Sequence, residues 1–173
     1  LKMKKEHNNA DLIDYLSPQL YSELADQVLS MGTKMVSLKS GHRGFYIKTA
    51  SLQTFESFGA AKPGDVDNWS GRELWAPAFE VEKFSSATGS GDSAIAGFLP
   101  AFLNGYTIGQ SLRYAVCCGW QNVQVLDAVS GIRSWQETTE MLKKDMPMID
   151  FEISNDEWSW SEDYKLWAGP NDP

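Results

Sequence analysis

Thr88-Gly89-Ser90-Gly91-Asp92 runs directly into Ser93-Ala94-Ile95-Ala96-Gly97-Phe98-Leu99. The pattern is a glycine-rich turn feeding an apolar helix, with a carboxylate in the first helical turn. Two glycines let the backbone fold tightly enough for successive N–H groups to face one way, and a helix start adds unpaired donors and the positive end of its dipole. Such a turn holds an anion. Asp92 beside it is placed to take a proton from an attacking hydroxyl while backbone donors neutralise the charge developing on a phosphoryl group. The same five residues also describe a Gly-Ser-Gly loop with an Asp in the favoured first turn of a helix, and the pentapeptide alone leaves both readings open.

Outward from this turn, local signals divide the chain into alternating elements. Ser17-Pro18, then Leu20, Leu24, Ala25 and Val28, closed by Gly32, predicts a capped amphipathic helix with Pro in its first turn. Lys34 to Ser40 and Gly44 to Thr49 read as two strands joined at Gly41-His42-Arg43-Gly44, where the glycines supply any positive φ. The charges of His42 and Arg43 lie in that turn. Gly59 to Arg72 is polar and turn-rich, and Leu74 to Ala78 and Phe79 to Phe84 read as extended segments leading to the glycine turn. Asn104-Gly105 stops the helix that Asp92 opens. Thr107-x-x-Gln110 opens the next, through Trp120, and Ser134-x-x-Glu137 opens another, ending near Lys144. Strands alternating with helices predict a layered α/β domain with ligands at the carboxyl ends of the strands.

The expected division is residues 1–145 as the layered α/β part and 146–173 as an acidic, Trp-rich tail packed on it. Trp158, Trp160 and Trp167 stand in that tail among Asp, Glu, Gly and Pro, with no helical or strand period. The chain begins at Leu1 in what reads as the middle of a charged helix.

With 173 residues, 42% of them hydrophobic and 12% aromatic, the chain can bury a core. A net charge of −8 disfavours nucleic acid and anionic membranes as partners and points to a small molecule. The longest apolar run, Ala94 to Leu103, is about half what a bilayer requires and contains Pro100. Cys117 and Cys118 are adjacent within a predicted helix and poorly placed to bond to each other, which fits a reducing cytoplasm. No metal-ligand cluster stands out.

The segment from Ser86 to Leu99 resembles the second signature of the ribokinase-like (PfkB-type) carbohydrate kinases, with Gly89-Ser90-Gly91-Asp92 and Ala96-Gly97 in the expected places. Val36 to Tyr46 is similar to that family's strand, glycine turn and strand over the nucleotide phosphates. Arg113 to Val116, through Ser130-Gly131-Ile132, is similar to the helix and loop that enclose adenine. The three come in the family's order across roughly Leu29 to Lys144. The resemblance implies a layered α/β/α fold, of which this chain carries the C-terminal part, the N-terminal strands and lid being absent. No Gly-Gly pair and no Asn-x-x-Glu motif occurs, although the family uses the first for its sugar and the second to order magnesium.

The resemblance further implies phosphoryl transfer from ATP with Mg²⁺ to a hydroxyl of a sugar or sugar-like molecule. Asp92 would be the catalytic base, Gly89, Ser90 and Gly91 the anion hole, and Lys39, Gly41, Gly44, Val116, Gly119 and Asn122 the nucleotide contacts. Lys39 also fits an ordinary solubilising residue at the end of an edge strand, and Val116, Gly119 and Asn122 also fit plain helix packing. Ser86 stands where many members have Asp, and Asp127 where they often have Gly, which weakens a monovalent-cation site. Alternatives are a nucleoside or other alcohol as acceptor, a non-catalytic adenine-nucleotide module and an unrelated dinucleotide enzyme. A fragment missing strands would also expose an unpaired sheet edge, which favours a homodimer.

Overall fold

The computed structural model describes residues 12–153 and 157–173. The expected charged helix at the start of the chain lies outside the described residues. The first long element is α1 (Pro18–Ser30), whose cap is the expected Ser17, with the Ser17 hydroxyl accepting from the Leu20 N–H at 3.2 Å. Strands β1 (Met35–Lys39) and β2 (Phe45–Thr49) form the predicted antiparallel hairpin, and both turn glycines have positive φ, 54° at Gly41 and 99° at Gly44. Between β2 and the next strand lie two single-turn helices, α2 (Leu52–Phe55) and α3 (Val66–Trp69), the second inside the stretch Gly59 to Arg72 that reads only as polar and turn-rich. Strand β3 (Glu73–Ala76) follows, then α4 (Ser90–Leu103), α5 (Ile108–Asn122) and α6 (Trp135–Leu142). Complete capping boxes open α5 at Thr107 and α6 at Ser134, as the spacing predicts.

The sheet runs β1-β2-β3-β5-β4, with β4 (Ser159–Ser161) and β5 (Leu166–Ala168) both drawn from the Trp-rich tail. This departs from the sequence reading, which found no strand period there. Three-residue strands are too short to display alternation, and what fixes them is tertiary: β5 pairs with β3 through Leu74–Ala168 and Trp75–Trp167. All strand pairs are antiparallel, so the strands share no single carboxyl edge. The ends of β1 and β3 and the start of β2 nevertheless meet on one side. The extended segment expected at Phe79 to Phe84 is reduced to one bridge between Phe79 and Met148. Its backbone finds other partners, since Glu80 N–H donates to the Pro147 carbonyl at 2.9 Å and the Trp120 indole N–H donates to the Glu80 carbonyl at 2.7 Å.

Every residue of β2 and β3 is buried, and alternation sends the side chains to two different cores. Phe45, Ile47, Leu74 and Ala76 face α4 and α5, where they pack with Phe98, Phe102, Ile108 and Leu112. Tyr46 and Trp75 face α1, where they pack with Tyr21, Ala25 and Trp158. Helices therefore cover both faces, which is the α/β/α layering expected. Each large side chain buried this way stabilises the fold by about 1.5–3 kcal/mol.

Candidate active site

The glycine turn sits against the side of the sheet where β1 and β3 end. Gly89 caps α4 with φ of 77°, a left-handed conformation that side chains disfavour. A Cβ there would stand 2.6 Å from the Ala128 carbonyl oxygen, so the turn is also pressed onto the 125–131 loop. Gly91 lies inside the helix without positive φ, and its need is space: a Cβ would come within 2.8 Å of Lys39 Nζ. Lys39, the last residue of β1, thus lays its stem along the first turn of α4. Its ammonium reaches to 3.6 Å from Asp92 Oδ1. Asp92 itself is nearly free of other contact, with 93% of its side chain exposed. On the other flank, a Cβ at Gly44 would lie 2.0 Å from the Ala76 carbonyl oxygen, so the β1–β2 turn is clamped to the end of β3.

Donors at the turn are partly committed. Ser90 N–H and Ser90 Oγ both donate to the Ala87 carbonyl, at 3.2 and 2.9 Å. Among the described residues, the N–H groups of Gly89, Gly91 and Asp92 have no such acceptor. These are the orphan amides of a helix start, with the positive end of the α4 dipole behind them. The anion-binding capacity of the turn therefore rests on Gly89, Gly91 and Asp92 more than on Ser90.

A cavity of about 260 Å³ opens beside this turn, lined by Val116, Gly119 and Trp120 of α5, by Val123 just after it, and by Lys39, Gly41, Gly44, Phe45, Ser90 and Gly91. Phe79, Val81, Phe84 and Ile149 close its rim. The structure thus brings Lys39, both hairpin glycines, Val116 and Gly119 around one predominantly apolar space next to the free amides. It does not bring Asn122 there. That residue is completely buried, and its Nδ2 donates to the Thr88 carbonyl at 2.7 Å, behind the turn. Arg43, in the β1–β2 turn, is also held away from this cavity. Its guanidinium is buried between Trp75 and Phe151, 5.0 and 4.7 Å from their ring centres, and donates to the Ile13 and Leu16 carbonyls. Burial depresses its pKa, with Tyr21 and Asp14 opposing. His42 lines the cavity but pairs with Asp14 at 2.7 Å.

Trp120, Val123 and Phe84 were missed as cavity residues. Val116, Trp120 and Val123 follow the i, i+4, i+7 spacing of one helix face, a signal present in the sequence. Phe84 had none, because its loop was read as strand. Asp127 accepts from Val129 N–H, Ser130 N–H and Ser130 Oγ, and these bonds lower its pKa to about 2. Cys117 and Cys118 are buried free thiols, pushed up to about 12 and about 11 by desolvation. Among the described residues, no three His, Cys, Asp or Glu side chains cluster to hold a metal ion, and no helix is long and apolar enough to cross a membrane.

Comparison with protein families gives one decisive match: the pfkB family carbohydrate kinase model fits residues 8–135. The chain belongs to that family. The match takes in the β1–β2 hairpin, the glycine turn and the cavity helix, and it ends before the tail strands. Among solved structures, the chain is similar to a ribokinase from Thermotoga maritima, with 20% identity, a TM-score of 0.54, and coverage of 76% of this chain and 39% of that one. It is also similar to a nucleoside kinase from Methanocaldococcus jannaschii, an archaeal member of the ribokinase family, with 17% identity, a TM-score of 0.52, and coverage of 76% of this chain and 45% of that one. The chain therefore spans less than half the length of these kinases, and the likeness is one of fold. Comparison with curated protein sequences gave no match.

Proposed function

We propose that this pfkB-family chain is the nucleotide-binding and catalytic part of a kinase that transfers the γ-phosphoryl group of ATP to a hydroxyl of a sugar or sugar-like alcohol. The carrying observation is the junction of three features at one place: free amides at a helix start, the Lys39–Asp92 pair, and the apolar cavity beside them. Adenine suits the cavity wall formed by Val116, Gly119 and Trp120. The phosphates then reach the donors of Gly89, Gly91 and Asp92, where Lys39 adds positive charge. Asp92, being solvent-facing, is free to accept the proton of an incoming hydroxyl, while the amides stabilise charge on the transferring group. Lys39 and Asp92 hold each other in the absence of ligand, and phosphate draws the ammonium away from the carboxylate. Mg²⁺ would enter with the nucleotide and neutralise phosphate charge.

A second reading rests on the cavity and the free amides alone, which are enough to hold a nucleotide without transferring phosphate. In it, the chain is an adenine-nucleotide-binding module without catalysis. Calorimetric titration with Mg·ATP, together with a phosphoryl-transfer assay against a panel of sugars and nucleosides, separates the two. Binding with acceptor-dependent turnover supports the kinase, and binding without turnover supports the module. No binding defeats both. A cytoplasmic location fits the two free thiols, and light scattering tests the expected dimer.

A further inference from the structure

The buried side chain of Asn122 does something that helix packing does not require. Its Nδ2 donates to the Thr88 carbonyl at 2.7 Å, while its Oδ1 is buried with no hydrogen-bond partner among the described residues. A buried acceptor without a partner is costly, and such groups are rare in folded proteins. Asn122 also occupies the last position of α5, where an aliphatic side chain has the better helix propensity. On stability alone, leucine would serve at least as well.

We propose that Asn122 is a positioning residue for the anion hole, a role that rests on the phosphate-binding reading of the turn. The Thr88 carbonyl and the Gly89 N–H belong to one planar, trans peptide unit, so they point in opposite directions. Holding the carbonyl against α5 turns the Gly89 N–H away from α5 and out of the packed interior. Gly89, with no side chain and φ of 77°, offers little resistance to rotation of that peptide plane. The flanking ties do not replace this bond. Ser85 and Ser86 N–H are held by the Val123 carbonyl and Ser85 Oγ by the Gln124 carbonyl, all upstream of the rotating unit. Gly119 faces the same turn, its ideal Cβ position lying 3.4 Å from the Ser90 carbonyl oxygen, an ordinary contact distance. The C-terminal turn of α5 is thus the mould in which the donors are set.

The test is Asn122→Leu in the full chain, read by thermal unfolding, by residue-resolved amide exchange and by Mg·ATP titration. The expected result is an unchanged or slightly raised Tm. Exchange at Ser90, whose N–H is bonded to the Ala87 carbonyl, should be about five- to tenfold faster while the interior of α5 is unaltered, and Mg·ATP affinity should be about tenfold weaker. Unchanged exchange at Ser90, or a Tm loss accompanied by faster exchange throughout α5, would overturn the proposal and make Asn122 a packing residue. A wild-type chain that does not bind Mg·ATP would defeat the kinase reading instead, and exchange at Ser90 would then decide the proposal alone. Asn122→Asp sharpens the result. It keeps the shape but replaces the donor with an acceptor facing the Thr88 carbonyl, and it should disturb Gly89 more than leucine does.

Discussion

The two ends of the sheet use the same kinds of charged residue in opposite ways. Where β3 begins, Glu73 is fully buried, and its carboxylate accepts from the Tyr46 hydroxyl at 2.8 Å and from Asn171 Nδ2 at 2.7 Å, with Lys48 Nζ 3.9 Å away. Lys48 in turn pairs with Asp26 at 2.7 Å and donates to Ser22. Next to them, Arg72 grips Asp172 with two bonds of 2.7 and 2.8 Å. Burial beside Glu73 pushes the Tyr46 phenol far above its ordinary pKa. Where β1 and β3 end, by contrast, Lys39 is half-exposed and Asp92 solvated, and the amides of Gly89, Gly91 and Asp92 have no partner among the described residues. The first end is saturated and fastens the tail. The second holds its donors in reserve, and unsatisfied groups at an open surface are what a ligand can use.

Breaking the frame that joins the two ends should have the largest effect. Gly44→Val places a Cβ about where the Ala76 carbonyl oxygen already lies, 2.0 Å from the ideal position, on a residue with φ of 99°. The expected loss exceeds about 4 kcal/mol, seen as a chain that does not unfold cooperatively in a thermal scan. Next comes the saturated end. Glu73→Leu strands the Tyr46 hydroxyl, Asn171 and part of the Lys48 charge in the interior, for a loss of about 3 kcal/mol. That corresponds to a Tm lower by roughly 10 °C, and a Tm within about 2 °C of wild type would show that the network does not carry the tail.

The smaller effects belong to reactivity and to the open end. With thiol pKa values of about 12 and about 11, Cys117 and Cys118 should resist alkylation at pH 8 in the native chain and react once it is unfolded, as mass spectrometry would record. Asp92→Asn should leave Tm unchanged because the side chain is 93% exposed. It should nevertheless lower turnover by about 10² to 10⁴ where the kinase reading holds. That split is the signature of the open end, and a large fall in Tm would assign Asp92 to the saturated class.

Local chemistry made much of this legible in advance. Ser17-Pro18, Thr107-x-x-Gln110, Ser134-x-x-Glu137 and the glycine turn each announce an element boundary through hydrogen bonds made within a few residues. Long-range partners were not legible. β4 and β5 are strands because β3 has a free edge and because Asp172 and Asn171 fasten the chain end to Arg72 and Glu73, about a hundred positions earlier. Asn122 was assigned to ligand from its place in the chain and Arg43 was read only as a turn charge, whereas side-chain direction, set by the Thr88 carbonyl and by Trp75 with Phe151, sends both into packed surroundings. Trp120 and Phe84 show the converse, since a cavity wall depends on which loop closes over it.

The most direct test of the central claim is to follow backbone amide resonances of the full chain during addition of Mg·ATP. Phosphate at the helix start should produce its largest shifts at Gly89, Gly91 and Asp92, with a second group at Val116 and Gly119 where adenine meets α5. A second cavity of about 480 Å³, lined by Asp14, Ser17, Arg43 and Phe151, lies on the other side of the hairpin turn and serves as the control. Shifts concentrated there, or none at the glycine turn at saturating nucleotide, would contradict the account.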